Sequence, residues 1–133
     1  MTAYTINDNA SLEVNSSMVA VRVNGLFAGE AIDAFAPCYI DSDGTVKMAV
    51  STQLIVVSGD KTDFIGFAPR EYANGEAITL FGKGARFCYS TSMTPGSYLY
   101  IGSEAGTLVD AAVVEGDDPV AVALTSTDVL VTR

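Results

Sequence analysis

Histidine and tryptophan are absent from this 133-residue chain, and cysteine occurs only twice. Without an imidazole, Ser-His-Asp and Cys-His nucleophilic catalysis are removed in their usual forms. The commonest metal ligand goes with it. Two cysteines cannot complete a structural zinc site, which needs further Cys or His ligands. Basic residues are scarce: seven Lys and Arg stand against sixteen Asp and Glu, for a net charge of −9. Arg22, Lys47, Lys61, Arg70, Lys83, Arg86 and Arg133 are scattered along the chain. No basic stripe exists to neutralise phosphates or to meet an anionic bilayer, so nucleic acid and membrane surfaces are disfavoured as partners. No apolar run approaches the roughly 18 residues of a membrane-spanning helix. The greasiest stretch, Leu54-Ile55-Val56-Val57, is strand-sized. Met1 to Thr5 carry neither the basic nor the apolar region of a signal peptide, so cytoplasmic synthesis is expected.

What is present is apolar and small. Hydrophobic residues make up 49% of the chain and charged ones 17%, and the mean hydropathy is +0.32. A chain of this length reads as a single domain able to bury its own core. The apolar excess has two readings. Either self-association or a large partner covers it, or a well-filled core sits beneath an Ala-rich surface. Cys38 and Cys88 both lie in apolar strand patterns, and in a reducing compartment both are expected as buried thiols. The negative charge most plainly serves solubility.

Residues 1–17 are polar and rich in Asn and Ser, without sustained periodicity, and read as an N-terminal arm. The alternative is that this segment supplies the first strand. Residues 18–133 read as one β-rich domain, in which short apolar runs end repeatedly in Gly, Asp, Asn or Pro. Strands are predicted at about 18–23, 37–40, 45–50, 53–57, 63–67, 76–81, 85–89, 97–101, 119–124 and 128–132. The fold class is therefore all-β: a compact β-barrel or β-sandwich of short strands with an extended N-terminal segment. Asn24-Gly25 reads as a turn, and Asp41-Ser42-Asp43-Gly44 as a tight hairpin. Gly82-Lys83-Gly84 reads as a second hairpin turn, and Thr94-Pro95-Gly96 as a type II turn. Leu26 to Phe35 is the best helix candidate, but Gly25, Gly29 and Pro37 crowd it and favour strand and loop. Gly-Glu-Ala-Ile occurs at 29–32 and again at 75–78. It marks either two equivalent half-units or coincidence in an Ala/Gly-rich chain.

Few motifs bear on chemistry. Asp41-Ser42-Asp43-Gly44 carries the opening of a calcium loop, but Gly44 follows Asp43 at once and the later Glu is missing, so a plain hairpin turn is the stronger reading. Gly59-Asp60-Lys61-Thr62 lacks the glycine spacing of a phosphate loop. The acids Asp60 and Asp63, and Glu115, Asp117 and Asp118, lie in predicted turns, whereas general acid/base work needs a desolvated pair. Tyr98 and Tyr100 share one face of a strand, where packing is the default over sugar binding. The expectation is a non-enzyme without cofactor or metal.

Three blocks between Gly25 and Arg133 carry a family resemblance. The first is Ala28-Gly29-Glu30-Ala31-Ile32 through Tyr39-Ile40-Asp41-Ser42-Asp43-Gly44-Thr45-Val46. The second is Phe64-Ile65-Gly66-Phe67-Ala68 with Tyr72-Ala73-Asn74-Gly75-Glu76-Ala77-Ile78. The third is Met93-Thr94-Pro95-Gly96-Ser97-Tyr98-Leu99-Tyr100, followed by Gly106-Thr107-Leu108 and Asp118-Pro119-Val120-Ala121. In these blocks the chain resembles the capsid decoration, or cement, proteins of tailed bacteriophages. It departs from the pattern at Phe35-Ala36, where a Gly is expected before the strand, and at Pro119-Val120-Ala121. The resemblance implies a homotrimeric virion protein that is made in the host cytoplasm. It would sit on the outer capsid surface, bind the major capsid protein and stabilise the shell. The alternative is a phage head-fibre or adhesion module that binds a ligand such as a host surface sugar. The apolar residues of the arm, Tyr4, Ile6 and Leu12, are the candidates for capsid contact, as an extended segment that adds a strand to a coat-protein edge.

Overall fold

The structure is a computed structural model and describes residues 4–8, 10, 22–50, 64–113 and 118–133. Leu12 and the strand expected at 53–57 lie outside the described residues, as do Asp60, Asp63, Glu115 and Asp117.

The described residues form ten strands: β1 (Arg22–Phe27), β2 (Pro37–Ile40), β3 (Val46–Met48), β4 (Gly66–Phe67), β5 (Ala77–Phe81), β6 (Arg86–Cys88), β7 (Tyr98–Ile101), β8 (Leu108–Val109), β9 (Ala121–Ala123) and β10 (Asp128–Val131). They build two antiparallel five-stranded sheets, with orders β1-β5-β4-β2-β3 and β6-β10-β9-β7-β8. The protein is all-β, as its strand-and-turn rhythm predicts, and among the described residues the sheets do not close into a barrel.

One turn design delivers half of the strands. The four-residue turns 33–36, 73–76, 82–85, 94–97 and 104–107 each close with a bond from the fourth N–H to the first carbonyl, at 3.1–3.3 Å. They lead directly into β2, β5, β6, β7 and β8. The third residue of each has positive φ, between 62° and 95°. Such a turn favours Gly at that position because a Cβ there crowds the backbone. Gly75, Gly84, Gly96 and Gly106 obey the rule, and Phe35, at φ 62°, breaks it. The departure seen in the sequence at Phe35 is therefore a real left-handed residue carrying a bulky ring.

Two expectations need correction. Gly82-Lys83-Gly84 does not close a hairpin, because β5 and β6 belong to different sheets. It is the point where the chain crosses from one sheet to the other. Asn24-Gly25 does not end a strand either. The β1–β5 register shifts between Val23 and Leu26, and Gly25 takes φ 81°. A bulge thus absorbs the turn signal while the ladder continues. By contrast, Asp41–Gly44 does join β2 and β3 as an antiparallel hairpin. In it the Gly44 N–H donates to the Asp41 carbonyl at 2.9 Å.

Side chains from both sheets meet in the larger core, which includes Tyr39, Phe67 and Phe81 from one and Phe87, Leu99, Leu108 and Val129 from the other. Phe67 is its aromatic hub, edge-on to Phe64, Phe87 and Tyr89 at centroid distances of 5.1, 5.4 and 6.3 Å. A second core lies on the other face of the first sheet, where Cys38, Ile78 and Leu80 pack with Ile32, Ala36 and Tyr72. Period-two alternation explains the division: along β2, Cys38 serves one core and Tyr39 the other. The segment 28–36, which includes the first Gly-Glu-Ala-Ile, forms no ladder of its own. It covers the second core and makes single bridges, Ala28 to Val46 of β3 and Ile32 to Tyr72 in the connection between β4 and β5. The second copy runs into β5, so the two copies do different jobs.

Candidate functional site

Of the arm residues singled out by sequence, the two that are described, Tyr4 and Ile6, do not project from the domain. Tyr4 and Ile6 are partly buried and pack against the larger core. The Tyr4 N–H donates to the Leu108 carbonyl of β8 at 3.0 Å, and the Asn7 N–H donates to the Tyr89 carbonyl, just past β6, at 2.7 Å. β6 and β8 are the two edge strands of the second sheet. Residues 4–7 therefore form a strap that runs from one edge to the other.

A polar clasp holds the strap. The Ser90 hydroxyl donates to the Thr5 carbonyl, and Asn7 Nδ2 donates to the Ser90 carbonyl at 2.9 Å. Ser90 is 1% exposed, the one buried polar side chain among the described residues. A buried hydroxyl without a partner is costly, so its bond to the strap is what makes serine tolerable there. Partial burial against the larger core pushes the Tyr4 phenol above its ordinary pKa, and the negative charge of Asp110 adds to the shift. Tyr89 is also raised, by burial. Sequence reasoning found Tyr4 and Ile6 through their isolation in a polar stretch. It missed Asn7 and Ser90, because nothing local links residues 83 positions apart.

The acidic hairpin is spent on itself. Lys47 Nζ lies 2.6 Å from Asp41 Oδ2 and 3.8 Å from Asp43 Oδ2. Asp43 Oδ1 accepts from the Thr45 hydroxyl at 2.6 Å and from the Thr45 N–H at 3.0 Å. Those bonds, the hydroxyl's first, hold the Asp43 carboxyl below its ordinary pKa. This is the bonding of a turn, in line with the plain-hairpin reading. Among the described residues, no three or more His, Cys, Asp or Glu side chains gather as a metal site.

Both cysteines are free thiols, Cys38 buried and Cys88 half-buried. Burial pushes the Cys38 thiol up to about 12, with the Glu30 carboxylate adding to the shift. Of the tyrosine pair, Tyr98 is 55% exposed and Tyr100 is partly buried. Phe27, Ile40 and Ile65 are the other large apolar side chains at the surface among the described residues. No family model matches the chain, and no curated protein matches it significantly.

Proposed function

We propose that this protein is a structural component of a tailed-phage virion: it binds the outer surface of the capsid, through the major capsid protein, and stabilises the shell as a decoration protein. The observation that carries the reading is the series of turn-and-strand blocks from Gly25 to Arg133, which resembles that family. Two further features support it. The carboxylates of the acidic hairpin are bonded to Thr45 and Lys47 of the same hairpin, the pattern of a structural turn. The body is also built for rigidity, with ten short strands around two cores. A clamp that resists outward pressure needs such a body, because a packed interior transmits strain rather than flowing.

Tyr4 and Ile6 remain the candidates for capsid contact, with Leu12 further along the segment. In this structure the first two are engaged with the protein's own core, so a capsid contact through them requires the strap to lift and expose Leu108 and Tyr89. The test is co-sedimentation of the purified protein with empty heads that lack it, with copies per capsid counted. Saturable binding at a fixed ratio to coat subunits is the expected result. Protein left in the supernatant at every concentration overturns the proposal.

A further inference from the structure

Other segments of the chain lie along or beside three of the four sheet edges. β3 is closed by the Gly29 N–H, which donates to the Val46 carbonyl at 2.8 Å, and by the Glu30 carboxylate, which accepts the Met48 N–H at 2.9 Å. The strap bonds β8 through the Tyr4 N–H and reaches the Tyr89 carbonyl, just past β6, through the Asn7 N–H. The fourth edge, β1, pairs only with β5, and among the described residues no bond reaches its outer side. Open edges are templates for another strand, and proteins blunt them with Lys, Pro or bulges. β1 contains no Lys or Pro, and its bulge is its one such device.

The bulge also sets what β1 presents. Arg22 pairs with Phe81 and Phe27 with Ala77, and those partners, four apart on β5, share a face. Arg22 and Phe27 therefore stand on one face, both exposed, with Phe27 at 57%. Val23 and Leu26 stand on the other, partly buried against the second core.

We propose that β1 pairs antiparallel with β1 of a second copy of this chain, about a two-fold axis between Asn24 and Gly25. That register sets the guanidinium of Arg22 over the ring of Phe27 of the second copy, and the reverse, which is a favourable cation–aromatic pairing. On the opposite face it sets Val23 against Leu26, so the second core continues across the axis. Arg22 has no ion-pair partner among the described residues, which leaves it available. An isologous contact needs only one open edge, whereas a closed ring of three built by strand pairing needs two. Pairing of β1 with itself therefore yields a dimer rather than the trimer that the family resemblance implies.

The test is sedimentation velocity of the full chain with a charge exchange. Wild type is expected to dimerise at micromolar concentration. Phe27→Lys places like charges together and is expected to weaken the dimer by at least about ten-fold. Adding Arg22→Glu to Phe27→Lys makes the pair complementary again and is expected to restore dimerisation. Both sites are exposed, and circular dichroism confirms that each variant folds. A wild-type monomer or trimer, a dimer indifferent to Phe27→Lys, or a double variant that fails to recover each overturns the proposal. A monomer whose β1 amides become protected only on phage heads overturns it in favour of a coat-protein strand.

Discussion

Replacing Phe35 by alanine or by glycine should reverse the usual order of these two residues. Phe35 holds φ 62° while its ring lies on Phe87 at 6.2 Å, nearly parallel, against the larger core. Both substitutions lose that ring. Truncating a fully buried phenylalanine costs about 3–5 kcal/mol, and the partly buried ring here should cost about 2. Alanine keeps a Cβ in the left-handed region, where an L-residue is disfavoured by roughly 1–2 kcal/mol. Glycine removes that strain, offset by about 0.5–1 kcal/mol of extra chain entropy. Phe35→Gly should therefore be more stable than Phe35→Ala by about 0.5–1 kcal/mol, although both fall below wild type. That gap is a difference of about 2–4 °C in Tm for a domain of this size. Paired urea and thermal unfolding curves measure it. If Phe35→Ala equals or exceeds Phe35→Gly, Phe35 does not occupy the glycine position of a repeated turn. If either variant matches wild type, the ring contributes nothing and its place in the core is wrong.

Three further outcomes are expected. Gly66→Ala should destabilise by about 2 kcal/mol despite adding only a methyl group, because its Cβ would lie 2.9 Å from the Phe81 carbonyl oxygen and 3.1 Å from Leu80 Cβ; denaturant unfolding reads this, and a neutral result contradicts the close approach of β4 to β5. Ser90→Ala should cost about 1–2 kcal/mol and loosen the strap, seen as faster hydrogen exchange at the Tyr4 and Asn7 amides with the β10 amides little changed. In alkali, Cys38 is protonated in the folded state up to about 12 but ionises from 9.0 once exposed, so the unfolded chain binds fewer protons and stability falls as pH rises. The contribution is up to about 1.4 kcal/mol per pH unit across that window, and Cys38→Ala should flatten that part of a stability-against-pH profile.

The sequence announced the strands bounded by turn chemistry and missed β8. β2 matches its predicted span, and β7 and β10 fall within theirs, because Pro37, Pro95-Gly96 and Thr125-Ser126-Thr127 punctuate them. β8 has only two residues, too few to show alternation, and packing of Leu108 into the shared core defines it instead. Asn24-Gly25 carried the right local geometry, a positive φ at Gly25, but a turn and a bulge ask for the same residue. Only the partner strand decides between them. The strap was legible in part. Tyr4 and Ile6 stood out as apolar residues in a polar stretch, whereas their burial against β8 and Ser90 is a long-range contact that no local pattern encodes.

Electron cryomicroscopy of phage heads with and without the protein tests the central claim most directly. Added density is expected on the outer surface at symmetry-related sites, shaped as two packed five-stranded sheets and touching coat subunits. Identical maps, or density confined to the tail or the capsid interior, would contradict it.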